Sequence, residues 1–67
     1  MTAGTVKTIV PDLGSGYVAT EDGVEYYFHR TGIKSPLDFD DLFGGEPVSF
    51  EIDANFGDPR AVQVSAA

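Results

Sequence analysis

The chain has no cysteine, no tryptophan and only four basic residues. Without cysteine, neither a disulfide nor a thiolate zinc site can brace the core. Such a chain suits a reducing compartment, and a cytoplasmic protein is expected. Met1-Thr2-Ala3-Gly4 offers no basic patch ahead of an apolar stretch, so no signal peptide is expected. No segment approaches the roughly 20 apolar residues of a membrane helix, and no membrane partner is expected. The shortage of cations is the most restrictive absence. Eleven acids against four bases give a net charge of −7, which repels phosphate at long range. A polyanion binder with a broad basic surface is excluded. Contact with nucleic acid would have to work through flat side chains and a few local cations.

What is present is punctuation. Eight glycines and four prolines break the chain about every 8–12 residues, the rhythm of a small barrel or sandwich. One domain spanning residues 1–67 is expected. A chain this short buries only roughly 60% of the surface its unfolded form exposes, so its stability is expected to be marginal. Strands are predicted at about 4–10, 15–20, 24–29, 46–53 and 59–65. Asp22-Gly23 is a strong hairpin signal, because glycine tolerates the positive φ of the turn. The connection at about 30–45 is rich in Gly, Pro and Asp, with at most short helical turns near 31–33 and 39–43. Residues Asn55-Phe56-Gly57-Asp58 read as a loop.

Alternation assigns the faces. Val18, Val24, Tyr26, Phe28, Val48, Phe50, Ile52, Val62 and Val64 are expected inside, with Val6 and Ile33. Ser15, Tyr17, Ala19, Glu25, Tyr27, His29, Ala61 and Gln63 are expected outside. Two tyrosines and a histidine on one outer face suit base stacking, worth roughly 1–3 kcal/mol per base and indifferent to sequence. Rings of this kind also cover core edges in proteins that bind nothing.

Other constellations carry less. Asp38-Phe39-Asp40-Asp41 lacks the ligand spacing and terminal glutamate of a calcium loop, and no metal is expected. Gly14-Ser15-Gly16 is not followed by Lys-Ser/Thr or a helix, so it is no phosphate loop and no cofactor is expected. His29 has no serine or cysteine nucleophile nearby in sequence with an orienting acid, which argues against an enzyme.

Gly4-Thr5-Val6-Lys7, Gly14-x-Gly16-Tyr17-Val18, Glu21-Asp22-Gly23, Tyr27-Phe28-His29 and Ile33 resemble, in order and spacing, the first half of a cold-shock domain. Gly45-x-x-Val48-Ser49-Phe50-Glu51-Ile52 and Asp58-Pro59-Arg60-Ala61-x-x-Val64 resemble its second half, with one insertion in the 34–44 loop. The resemblance implies an all-β, five-stranded antiparallel OB-fold barrel that binds single-stranded RNA or DNA through aromatic motifs on strands 2 and 3. The usual Lys-Gly-Phe-Gly-Phe run reads Leu13-Gly14-Ser15-Gly16-Tyr17 here, so one ring is kept and one is lost. Thr8 stands where the family carries tryptophan. The implied binding residues are Lys7, Tyr17, Tyr27, His29, Arg30, Phe39 and Arg60. Losing two rings removes about 2–6 kcal/mol of gross stacking energy, which moves a nanomolar binder to micromolar or weaker. Weak single-stranded nucleic-acid binding by a monomer, in an RNA-chaperone role, is what the resemblance implies. The alternative is a divergent barrel whose acidic surface meets a basic protein partner.

Overall fold

The computed structural model describes residues 1–55 and 57–67. Its five strands are β1 (Thr2–Val10), β2 (Ser15–Ala19), β3 (Glu25–His29), β4 (Pro47–Asp53) and β5 (Arg60–Ala66). They close a barrel in the order β1-β2-β3-β5-β4, as the OB reading expects. Four pairings are antiparallel. The fifth, Tyr27 with Arg60, is parallel and joins β3 to β5, so the sheet is mixed. Among the described residues there is no α-helix, only single 3₁₀ turns at Pro11–Leu13, Arg30–Gly32 and Phe39–Asp41.

The hairpin joining β2 to β3 forms where Asp-Gly predicts it. Gly23 takes φ +86°, the Thr20 and Val24 backbones close the turn at 3.0 Å, and the Thr20 hydroxyl donates to the Asp22 carboxylate. That hydrogen bond holds the Asp22 carboxyl below its ordinary range. Gly16 is required by close approach. A Cβ there would collide with the Thr8 carbonyl and lie 2.9 Å from the Phe28 ring, so β2 passes directly over the core.

Val6, Val18, Phe28, Leu42, Val48, Phe50, Ala61 and Val64 form the buried core, with Ile33 packed against it. Two fully buried phenylalanines, Phe28 and Phe50, each contribute roughly 1.5–3 kcal/mol by leaving water. The inward set needs four corrections. Val24 is 44% exposed because it lies in the hairpin turn, ahead of β3. Ile52 is exposed because β1 begins at Thr2, opposite Phe50, and leaves Ile52 without a neighbouring strand on that side. Ala61 is buried and Val62 only partly so, the reverse of simple alternation. The cause is a register shift against β4 between Ser49 and Glu51, with Gln63 at φ +54°; such a bulge places Ala61 and Val64, three apart, on one face. Ser15, expected outside, is 4% exposed: its short side chain lies between the half-buried Val10 and His29 on the adjacent strands. The Asn55–Asp58 loop reading falls in part on Phe56, which lies outside the described residues.

Candidate functional site

The outer face is set by register. Thr8 opposes Tyr17, Tyr17 opposes Tyr27, and Tyr27 opposes Arg60, so one line of side chains crosses four strands. Val10, Ser15 and His29 form the next line. Directly opposed residues on neighbouring strands have Cβ atoms roughly 4.5–5.5 Å apart, and the tyrosines use that proximity. Their ring centroids lie 6.0 Å apart with planes at 77°, an edge-to-face pair of the favoured kind. Tyr17 is exposed and Tyr27 is half-buried. The Arg60 guanidinium sits 5.2 Å from the centre of the Tyr27 ring, within cation–π range.

A register shift in β1 between Val6 and Thr8 leaves two consecutive residues, Lys7 and Thr8, exposed. The Lys7 ammonium lies 3.8 Å from a Glu25 carboxylate oxygen, with both side chains exposed. Such pairs are worth about 0–1 kcal/mol and yield readily to another anion.

His29 shares the face of Tyr27, two residues along β3. Its Nδ1 accepts a hydrogen bond from the Thr31 N–H at 3.2 Å and lies 3.0 Å from the Thr31 hydroxyl, capping the Arg30–Gly32 turn. The neutral ring with its proton on Nε2 is the form that makes this cap. Arg30 is exposed, its N–H donates to the Gly14 carbonyl at 2.8 Å, and its Cδ would be 2.7 Å from a Cβ at Gly14. The side chain therefore lies along Gly14, which takes the left-handed φ of +63°, and borders a recess shared with Pro36, Asp38 and Phe39.

Phe39 stands apart from the tyrosines. Asp38 accepts a hydrogen bond from the Asp40 N–H at 3.3 Å and caps the Phe39–Asp41 turn. The Phe39 ring is half-buried, with its centroid 6.3 Å from that of Phe28. It closes one end of the core. Lys34 lies beside Gln63, with its N–H bound to the Val64 carbonyl. Among the described residues, Arg60 is the cation placed against a ring.

Sequence reasoning missed Phe43. It is 85% exposed, in a stretch expected only as loop or turn. Its N–H and that of Gly44 each donate to a Glu46 carboxylate oxygen at 2.7 Å. The Phe43 N–H, and with it that of Gly44, holds the Glu46 carboxyl below its ordinary range. A phenylalanine followed by Gly44-Gly45 and then an acid was the available signal, since the glycines permit the φ values of +120° and +92° that turn the chain.

Among the described residues no three His, Asp or Glu side chains converge to hold a metal ion. No helix is long and apolar enough to cross a membrane.

The chain matches the family model described as 'Cold-shock' DNA-binding domain over residues 2–67. It is similar to proteins named "Major cold shock protein" from Streptococcus pyogenes serotypes M6, M18 and M1. Each is 31% identical over 65 residues, covering 97% of this chain and 96% of the relative.

Proposed function

The chain belongs to the cold-shock domain family, generally nucleic-acid binding, and on that premise we propose that it binds single-stranded RNA or DNA weakly and with little sequence preference. The observation that supports this most is the Thr8–Tyr17–Tyr27–Arg60 line, with two rings and a planar cation on one outer face. Because the rings stand at 77°, consecutive parallel bases do not lie flat on both. One base stacks on the exposed face of Tyr17, while Tyr27 and Arg60 together present an edge and a guanidinium to the next. Stacking of this kind tolerates any base. His29 extends the face along β3, Lys7 supplies a cation once it leaves Glu25, and Arg30 supplies one beside Gly14.

Weakness follows from the same face. Thr8 and Ser15 contribute no ring, and the net charge of −7 repels phosphate, most strongly at low salt where screening is weak. An RNA chaperone needs such contacts, since it must hold transcripts open and then let go. The domain acts as a cytoplasmic monomer and not as an enzyme. A second reading, in which the acidic surface takes a basic protein partner, draws on the same net charge.

Tyrosine fluorescence separates the two, as there is no tryptophan to mask it. Adding oligothymidine in low salt is expected to change the signal with a micromolar midpoint, and Tyr27→Ala is expected to weaken binding by about tenfold or more. No change at about 100 μM oligonucleotide, a concentration well above a micromolar Kd, would favour the protein-partner reading.

A further inference from the structure

Two lines of opposed residues flank Thr8–Tyr17–Tyr27 on β1, β2 and β3. One is Val10–Ser15–His29, and the other is Thr5–Ala19–Glu25. The second puts an acid on the strand face. Glu25 is exposed and stands two residues from Tyr27 on β3, so alternation gives both the same face. From β1, the Lys7 ammonium comes to 3.8 Å from the Glu25 carboxylate. β1 and β3 are not neighbours, since β2 lies between them. The two side chains therefore meet across β2, over two strand spacings or roughly 10 Å of sheet. Ala19, opposite Thr5 on one side and Glu25 on the other, is too short to stand in the way. The ion pair bridges β2 next to the line of Tyr17, the exposed ring.

We infer, on the single-stranded nucleic-acid reading above, that Glu25 is an internal competitor for the nucleic-acid backbone. Its carboxylate occupies Lys7 in the free domain and must give it up when a phosphate binds there. Lys7 is one of four cations in the chain, so holding it neutral withdraws a quarter of the positive charge on offer. The contact is built to open. The two side chains are 58% and 46% exposed, and pairs so exposed gain little over their solvated partners. A phosphate brought in by a base stacked on Tyr17 replaces the carboxylate at Lys7 without disturbing the barrel. Glu25 then stands unpaired beside the bound strand and repels it. Salt dependence carries the same signature. A phosphate that lands on Lys7 releases a counterion, while the freed carboxylate gathers one, so the exchange adds little to the salt slope.

The test follows seven-nucleotide oligothymidine binding by tyrosine fluorescence on the full chain, Glu25→Gln, Lys7→Met and the double variant. It is run at about 0.1 M salt, where charges more than ~10 Å apart are largely screened. Glu25→Gln is expected to tighten binding about three- to fivefold and to steepen the salt slope by up to about 0.7. Its thermal midpoint should match that of the parent chain, because the pair is exposed. In the Lys7→Met background the same substitution is expected to change affinity little. Equal tightening with and without Lys7 would make Glu25 a general negative charge and overturn the proposal. Unchanged affinity of Glu25→Gln would also sink it, and weaker binding would put the carboxylate on a base and do the same. In each of these cases the parent chain still binds, and the tyrosine site stands. Parent and Glu25→Gln chains that both fail to bind at about 100 μM would instead overturn the single-stranded reading itself.

Discussion

The tyrosine line and the 34–46 connection each carry two aromatic rings, and they hold them by different forces. Tyr17 and Tyr27 are held by register: each stands on a strand paired on both sides, over the buried Val18 and Phe28. Phe39 and Phe43 are held by two carboxylates, with Asp38 capping one turn and Glu46 gripping another. The same two residue types thus meet opposite ends. Phe39 is turned into the core beside Phe28, and Phe43 is left in water. The lesson is that the sheet face cannot be rearranged without unfolding the barrel, whereas the connection depends on a few charged hydrogen bonds.

The largest difference is expected from truncating a ring on each side of the same strand. Phe28→Ala is expected to cost about 3–5 kcal/mol, most of the roughly 3–10 kcal/mol available to a domain of this length, and thermal melting should show a largely unfolded chain. Tyr27→Ala, its neighbour on the outer face, is expected to lose binding while melting within a few degrees of the parent. Equal destabilisation by the two would mean that Tyr27 is a core residue and not a platform.

The connection is expected to respond to pH through Glu46. The folded Glu46 carboxyl titrates below its ordinary value of 4.5. Its contribution to stability is therefore present above that ordinary value and is lost as the pH falls through the folded one. Amide hydrogen exchange at Phe43 and Gly44 should accelerate across that interval, and Glu46→Gln should show the faster exchange already at pH 7. Unchanged exchange at both amides would mean that the carboxylate does not hold the segment.

The smallest expected effect is electrostatic. With at most four cations to offer, the slope of log affinity against log salt should be below about 3 in magnitude, and Arg60→Ala should reduce it by about 0.7. A steeper slope measured on the parent chain would point to phosphate contacts beyond these four residues.

The sheet was legible because alternation and turn chemistry operate over a few residues. Asp22-Gly23 announced its hairpin, and Tyr17, Tyr27 and His29 fell on one face by counting in twos. Counting in twos failed at the bulges. Nothing local distinguishes Ala61-Val62-Gln63-Val64 from a regular strand, and the buried Ala61 reflects a register shift against β4 that strand composition does not signal. The fates of Phe39 and Phe43 were equally hidden, because they depend on Asp38 and Glu46 as hydrogen-bond acceptors and not on any periodic pattern. Leu42 was missed as a core residue for the same reason. The resemblance to the cold-shock domain placed the rings of β2 and β3, but Phe43 has no counterpart among the motifs that carried it.

In the proposed complex, bases lie on the line of Tyr17 and Tyr27. A backbone NMR titration of the full chain with seven-nucleotide oligothymidine tests it most directly. The amides of 15–19, 25–29 and Arg60 are expected to shift together with a micromolar midpoint, while those of 47–53 stay in place. Shifts confined to β4 and the 21–23 turn, with the tyrosine strands unmoved, would contradict it.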